Sequence, residues 1–361
     1  MILKIRYPKR KEIVMTDNLL LNRAQLVTKI AFSGVRHSIN PQIQQLILHV
    51  TNKCNFRCRH CFVDFSDIPK DLTLQEIQSI SETVGKLIWL EIGGGEPFLR
   101  KDLVDVVSLF DFEEVSIPTN GWYQDNIVET TKQLASRFGH KVTIVLSIDG
   151  LRDTHDEIRK QDGSFDRLME TFRLLRNIPE IRVVFLSTLC ERNADELLEL
   201  IKFTQPLEPD YFAVNILRGD PIDPSYKLDL KDVRRFWVEL EKHYKSDGYS
   251  HRRGITSVPL NYVRLRWTTA IKTMERQQQV IPCLGGSATI VVHPNGDVGP
   301  CEMLPPVASI KDQSLPDILQ SAEWHSTVKS IQEKECHCTH ECNMKSSIFL
   351  NSSLYPSLLF G

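Results

Sequence analysis

The sequence predicts an α/β protein built on a parallel sheet of six strands, followed by a small cysteine-rich segment. Two patterns carry this expectation. From residue 45 to about 217, short and nearly continuous apolar runs alternate six times with helical patterns, as parallel strands covered by helices require. The chemically unusual clusters fall directly behind successive apolar runs, where α/β folds gather their chemistry. Periodicity alone leaves a curved partial barrel and a flat doubly wound sheet both open.

Taken in order, residues 1–44 give mixed signals, and Lys9-Arg10-Lys11 reads as a solvated face. The run 46–50 is the first strand and leads straight into Cys54-Asn55-Phe56-Arg57-Cys58-Arg59-His60-Cys61. Thr73-x-x-Glu76 is a capping box opening a helix that ends near residue 86. The second strand, 88–92, is followed by Gly93-Gly94-Gly95-Glu96-Pro97. A helix over 101–110 leads to a third strand at 114–117, with Thr119-Asn120-Gly121 behind it. A helix over 125–138 precedes the clearest buried strand, 142–148, which ends in Ser147-Ile148-Asp149-Gly150. A helix over 165–176, a strand over 181–189, a helix over 195–203 and a strand over 211–217 complete the set.

Residues 218–282 change character, with a loop over 218–224 and helical patterns over 231–244 and 262–278 that read as a bridge. Asn295-Gly296 between two extended runs is a hairpin signal that brings Cys283 near Cys301. After a helix over 315–331 comes Cys336-His337-Cys338-Thr339-His340-Glu341-Cys342. The tail has apolar clusters without helical spacing and is expected to dock on the body. The expected division is 1–44 extension, 45–217 core, 218–282 bridge and 283–361 cysteine-rich domain.

Composition narrows the function classes. With 361 residues, 41% hydrophobic, 25% charged and a net charge of −2, nothing points to nucleic acid or an anionic membrane. No window approaches 18 apolar residues, and the N-terminus lacks a signal-peptide core, so a cytoplasmic protein is expected. Nine cysteines, an odd count, suit metal thiolates better than disulfides.

Three thiolates on one short loop can hold three irons of a cubane cluster and leave the fourth iron open. A zinc site completed by His60 is the plain alternative. The glycines at 93–95 let backbone approach a ligand closely, or simply make a turn. Thr119-Asn120-Gly121 reads as a turn by itself, Ser147 and Asp149 as helix caps, Arg159 as half of a surface ion pair, and Cys190 as a buried small hydrophobe. Thiolates from two distant segments near one hairpin suggest a second metal site, with zinc bound by Cys and His as its alternative.

Cys54-x3-Cys58-x2-Cys61 resembles the signature of the radical S-adenosylmethionine (radical SAM) enzymes. That resemblance implies a [4Fe–4S] cluster on these thiols whose open iron is chelated by the amino and carboxylate groups of SAM. It also favours the curved (β/α)6 form, a partial TIM-like barrel. By the same resemblance, Gly94, Gly95, Glu96 and Pro97 hold the methionine ammonium, with Thr119 and Asn120 beside them. Ser147, with Asp149 near it, is placed to reach the ribose, Arg159 to pair with the cofactor carboxylate, and Asn193 and Asn215 to lie near the adenosine.

Cys283-x12-Gly296-x4-Cys301 resembles the opening of the SPASM and twitch extensions, implying a second, auxiliary [4Fe–4S] cluster of the shorter twitch type. Cys283, Cys301, Cys336, Cys338 and Cys342 offer five thiols for it. In an extended segment Cys336 and Cys338 project to opposite sides. Cys338 and Cys342 are therefore expected as ligands and Cys336 as spare.

The implied activity is reductive cleavage of SAM to a 5′-deoxyadenosyl radical that abstracts hydrogen from substrate, with the auxiliary cluster assisting electron transfer. A small polar substrate, a sugar or aminocyclitol, is favoured because the first 44 residues are too short for a peptide-recognition domain. Peptide maturation is the second reading, and a non-catalytic zinc-binding module is the rival of another class. A flavodoxin or ferredoxin is the implied electron donor. No residue is assigned as catalytic acid or base.

Overall fold

The computed structural model describes residues 28–360 apart from 38, 64, 66–69, 220 and 247–257. The charge run Lys9-Arg10-Lys11 and the other expectations for residues 1–27 lie outside the described residues. Six strands, β1 (Gln45–Thr51), β2 (Lys86–Gly94), β3 (Asp111–Thr119), β4 (Val142–Ser147), β5 (Arg182–Leu189) and β6 (Phe212–Ile216), pair in parallel and in sequence order. A doubly wound sheet reverses its order at a switch point, and this wall has none. The consecutive order is that of a partial TIM barrel.

A helix, α1, covers 28–37. The outer layer follows as α2 (Leu74–Val84), α3 (Leu103–Ser108), α4 (Gln124–Phe138), α5 (Arg152–Arg159), α6 (Ser164–Leu175) and α7 (Leu197–Thr204). The capping box at the start of α2 forms: the Glu76 amide donates to Thr73 Oγ1 at 3.3 Å and the Thr73 amide to Glu76 Oε2 at 2.7 Å. The helix stops at Val84 because Gly85, at φ +61°, turns the chain directly into β2.

Alternation along each strand sorts the side chains between two faces. Leu46, Leu48 and Val50 of β1 join Ile77, Ile80 and Leu90 in the core beneath the helices. Burying each contributes about 1.5–3 kcal/mol. The other face of the wall carries polar side chains: Gln45 and His49 of β1, Glu91 of β2, Ser116 of β3 and Thr143 of β4.

The cysteine-rich segment extends the same wall. After α8 (Leu230–Ser246) and α9 (Val258–Arg276), β7 (Thr289–Val292) pairs in parallel with β1, Gln45 standing opposite Thr289. β8 (Asp297–Gly299) and β9 (Ala308–Ser309) add antiparallel to make a nine-stranded sheet. The expected hairpin turn is present, with Gly296 at φ +96°. The helix expected over 315–331 is two helices, α10 (Leu315–Gln320) and α11 (Ala322–Gln332). Ser321 breaks the run by capping the second, its hydroxyl accepting from the Trp324 amide at 3.1 Å.

The tail is helical: α12 (Glu341–Phe349) and α13 (Tyr355–Phe360). Amphipathic spacing is absent because α12 is enclosed, with Asn343, Met344, Ser346, Ser347 and Ile348 all buried. It lies on the polar face of the wall. Lys345 pairs with Glu91, Ser346 Oγ meets Thr289 Oγ1 at 2.8 Å, and Glu341 pairs with Arg266 of α9 at 2.9 Å.

Candidate functional site

The loops after β1, β2, β3 and β4 meet at one end of the wall. The cysteine loop is tied down through its backbone. The Gly95 amide donates to Thr51 O at 2.7 Å, Glu96 to Lys53 O at 2.9 Å, and Arg59 to Ile158 O at 2.9 Å. On the far side Ile222 donates to Cys61 O at 2.7 Å. This explains the glycines: a Cβ on Gly94 or Gly95 would collide with the carbonyls of Thr51 and Lys53. They let the second loop clamp the first.

Each thiol of the loop receives an N–H. Phe56 donates to Cys54 Sγ at 3.4 Å, Val63 to Cys61 Sγ at 3.4 Å, and Arg159 Nη1 to Cys58 Sγ at 3.8 Å. Burial pushes the Cys54 thiol up to about 11 and Cys58 up to about 12, with Arg159 opposing the shift at both. Cys61 is also raised by burial. Three thiols sharing donors and a guanidinium suit iron, whose charge deprotonates the sulfur it binds. Among the described residues no three His, Cys, Asp or Glu side chains close on one ion-sized point. A cubane spreads its thiolates farther apart than a single tetrahedral ion does.

Glu96 is buried at 2% exposure. Its carboxylate accepts from the Asn120 amide at 2.8 Å and the Phe98 amide at 3.3 Å. Burial pushes it up to about 7 despite these bonds. Pro97, also buried, opens the short turn that Glu96 caps. Thr119 bonds Glu96 as well, and the Asn120 amide group donates to Asn55 Oδ1 of the cysteine loop at 2.9 Å. Ser147 stands half-buried at the end of β4. Gly94 to Pro97, Thr119 and Asn120 therefore gather around the cysteine loop.

Asp149, Arg159 and Asn193 sit deeper. Asp149 is fully buried and pairs with Arg159 Nη2 at 2.6 Å and with His60 Nε2 at 3.3 Å, and Oδ1 accepts from the Thr188 amide at 2.8 Å. Burial opposes its charge, but Arg159 and His60 outweigh that and hold the carboxyl well below the usual range. The Asn193 amide group donates to Asp149 O at 2.8 Å and Thr188 O at 2.9 Å and accepts from the Cys190 amide at 2.9 Å. The polar groups of Asp149 and Asn193 are engaged inside the protein and tie the ends of β4 and β5 together beneath the cysteine loop. The ion pair of Arg159 is buried, not superficial. His60 pairs through Nε2 with Asp149, and its Nδ1 is buried without a hydrogen-bond partner among the described residues. Asn215 Oδ1, in β6, is buried without a partner among the described residues.

Asp149→Asn leaves the Arg159 guanidinium uncompensated under the loop. It is expected to destabilise the cluster-free protein by about 3–5 kcal/mol, read from denaturant midpoints. A loss below about 1 kcal/mol would mean that the pair does not hold the loop.

The C-terminal thiols divide differently from expectation. Cys283, Cys301, Cys336 and Cys338 line one cavity of about 140 Å³. Burial raises Cys283 to about 12, and Cys338, Cys301 and Cys336 add to it, as neighbouring thiolates do. Cys301 rises to about 11 by burial, again with Cys338 and Cys336 beside it. Cys342 belongs to another neighbourhood: burial raises it furthest, and Glu91, Glu302, Lys345 and Arg218 act on it. Cys336, expected as the spare thiol, lines this cavity together with Cys338, and Cys342 is not among its lining residues. Residues 335–340 belong to no helix or strand, and Lys334 at φ +65° precedes them.

Glu302, beside Cys301, escaped the sequence reading. It is buried among His49 (2.7 Å), Arg218 (3.1 Å) and His340, joining β1, the loop after β6 and the C-terminal tract. Burial opposes its charge, and Arg218 and His340 overcome it and hold the carboxyl well below its usual range. The signal was His49, one imidazole inside an apolar strand.

A family description, the radical SAM superfamily, matches residues 48–204, and that of an iron–sulfur cluster-binding domain, SPASM, matches residues 283–343. A protein named probable GTP 3′,8-cyclase from Methanocaldococcus jannaschii is 35% identical over 231 residues, 57% of this chain and 74% of that one. The chain belongs to the radical SAM superfamily. It is an iron–sulfur enzyme of that family, with a SAM-binding [4Fe–4S] cluster and a SPASM auxiliary cluster. An AdoMet-dependent heme synthase of Methanosarcina barkeri is 26% identical, over 80% of this radical SAM chain and 85% of its own. The subtilosin biosynthesis protein AlbA of Bacillus subtilis is 25% identical, over 87% of this chain and 66% of AlbA. In structure the radical SAM chain resembles Streptococcus suis SuiB bound to its precursor peptide SuiA. The TM-score is 0.62 at 16% identity, covering 87% of this chain and 72% of SuiB. No described helix is long and apolar enough to cross a membrane.

Proposed function

We propose that this radical SAM SPASM enzyme abstracts hydrogen from a small polar molecule held against the polar face of the barrel wall, its auxiliary cluster exchanging one electron with the substrate. Cys54, Cys58 and Cys61 hold the first cluster, with Gly94, Gly95, Glu96, Pro97, Thr119, Asn120 and Ser147 around SAM. Cys283, Cys301, Cys336 and Cys338 hold the second. When bound, the first cluster and SAM supply the hydrogen-abstracting radical, and the second cluster supplies a one-electron sink or source. Four cysteine ligands leave that second cluster no open iron for substrate, which favours electron transfer as its role. A flavodoxin or ferredoxin fits as the external donor.

The observation that carries the substrate class is the charge on that face. Glu302 with His49, Arg218 and His340, and Glu91 with Lys345, gather charged groups on the side of the wall where α12 lies. Such groups orient a polar molecule of limited size. Peptide maturation is the second reading, supported by the likeness to AlbA and to the peptide-bound form of SuiB. Membership in the superfamily sets aside the zinc-binding module.

Cells grown in deuterated medium supply extract to separate the two readings, split into low-mass and peptide fractions. Deuterium is expected in 5′-deoxyadenosine from the low-mass fraction. Transfer from the peptide fraction alone would overturn the small-substrate reading.

Glu96→Gln keeps the shape of a buried carboxyl and removes its charge. It is expected to weaken SAM about tenfold, about 1.4 kcal/mol, with both clusters retained. The N–H of an iron-bound amino group is held best by the ionised carboxylate, so wild-type affinity is expected to fall as the pH drops through about 7. An unchanged affinity in the variant would leave Glu96 only its turn-capping role.

A further inference from the structure

The four-thiol cavity holds a polar side chain that packing does not account for. Asn343, near the start of α12, is 3% exposed and lines the cavity beside Cys283, Cys301, Cys336 and Cys338. Neither its Nδ2 nor its Oδ1 has a hydrogen-bond partner among the described residues. A buried amide left unsatisfied lowers stability, and leucine would fill nearly the same volume without that loss. A donor kept there at a loss to stability points to an acceptor in the cavity.

Other donors already approach the same thiols. Gln279 donates its side-chain N–H to Cys336 Sγ at 3.6 Å and to Ile331 O at 2.9 Å, and the Gly285 amide donates to Cys283 Sγ at 3.4 Å. Gln279 Oε1 accepts from the Cys283 amide at 3.4 Å, which fixes which end of the side chain faces Cys336.

We propose that Asn343 donates its amide N–H to a sulfur of the auxiliary cluster and, with Gln279, raises the reduction potential of that cluster. The inference rests on the ligand assignment above. An N–H aimed at sulfur favours the more negative, reduced state of a cluster, so each such bond moves the couple upward. The consequence is directional. A cluster with a raised potential takes an electron from a substrate radical more readily than it gives one, so Asn343 biases the enzyme toward net oxidation of its substrate.

The test is a redox titration of the reconstituted holoenzyme, following the reduced auxiliary cluster by electron paramagnetic resonance. At the potential that half-reduces this cluster in the wild type, Asn343→Leu is expected to lower the reduced-to-oxidised ratio about tenfold, equivalent to 59 mV for one electron. Asn343→Asp, with an acceptor in place of the donor, is expected to lower it further. The first cluster should not move in either variant. An unmoved auxiliary potential in variants that keep both clusters overturns the inference. A second measurement does not depend on the variants: wild-type enzyme with nitrogen-15 in asparagine side chains should show hyperfine coupling between that nitrogen and the reduced auxiliary cluster. Its absence also overturns the inference. A wild-type chain that assembles only the first cluster refutes the ligand assignment and this inference together, a result distinct from the other two.

Discussion

Replacing Cys54, Cys58 and Cys61 together by alanine is expected to abolish cleavage of SAM and to lower the iron content from about eight to about four per chain. The two losses share a cause. The three thiols sit on one loop, each with its own N–H donor, and Cys58 is buried against Arg159. Cys190, directly behind β5, is buried with Ile158 and Tyr226 in an apolar cluster. The remaining four irons should keep the signal of the auxiliary cluster unchanged. Retention of eight irons in the triple variant would remove the loop from cluster binding.

The second large effect separates Cys336 from Cys342. Cys336→Ser is expected to lose the auxiliary cluster, a drop of about four irons, whereas Cys342→Ser is expected to keep all of about eight. Cys336 shares its cavity with three other thiols, and Cys342 faces Glu91, Glu302 and Lys345. A cubane needs four ligands, and the cavity supplies four without Cys342. Iron and sulfide counts with spectra of each variant decide it. Loss of the auxiliary cluster in Cys342→Ser with retention in Cys336→Ser would restore the assignment drawn from spacing alone.

What could be read in the sequence follows from how local each cause is. The six core strands were legible because a parallel strand covered by helices is apolar along most of its length. Their ends were not, since Lys86 and Asp111 are charged residues that pair across the sheet without an apolar pattern. The cluster loop, the glycines and the turn after β3 were legible from unusual residues placed directly behind strands. The helix α5 was passed over because it is mostly polar, with only Thr154, His155 and Ile158 buried. No local pattern announces that β7 pairs with β1, more than two hundred residues away in sequence. The same holds for Glu302, whose partners come from three separated segments. That Cys336 and Cys338 line one cavity was not legible, because alternation between two sides holds only in a strand and this tract forms none. Asp149 and Asn193 were legible as unusual positions behind strands, but their buried bonds to one another were not.

The account is tested most directly by incubating the reconstituted chain, with about eight irons, with SAM and a strong reductant in the absence of oxygen. It predicts slow formation of 5′-deoxyadenosine and methionine in equal amounts, even without substrate, and none in the triple cysteine variant. A chain that carries both clusters yet leaves SAM intact, or one that gathers stoichiometric zinc and little iron, would contradict it.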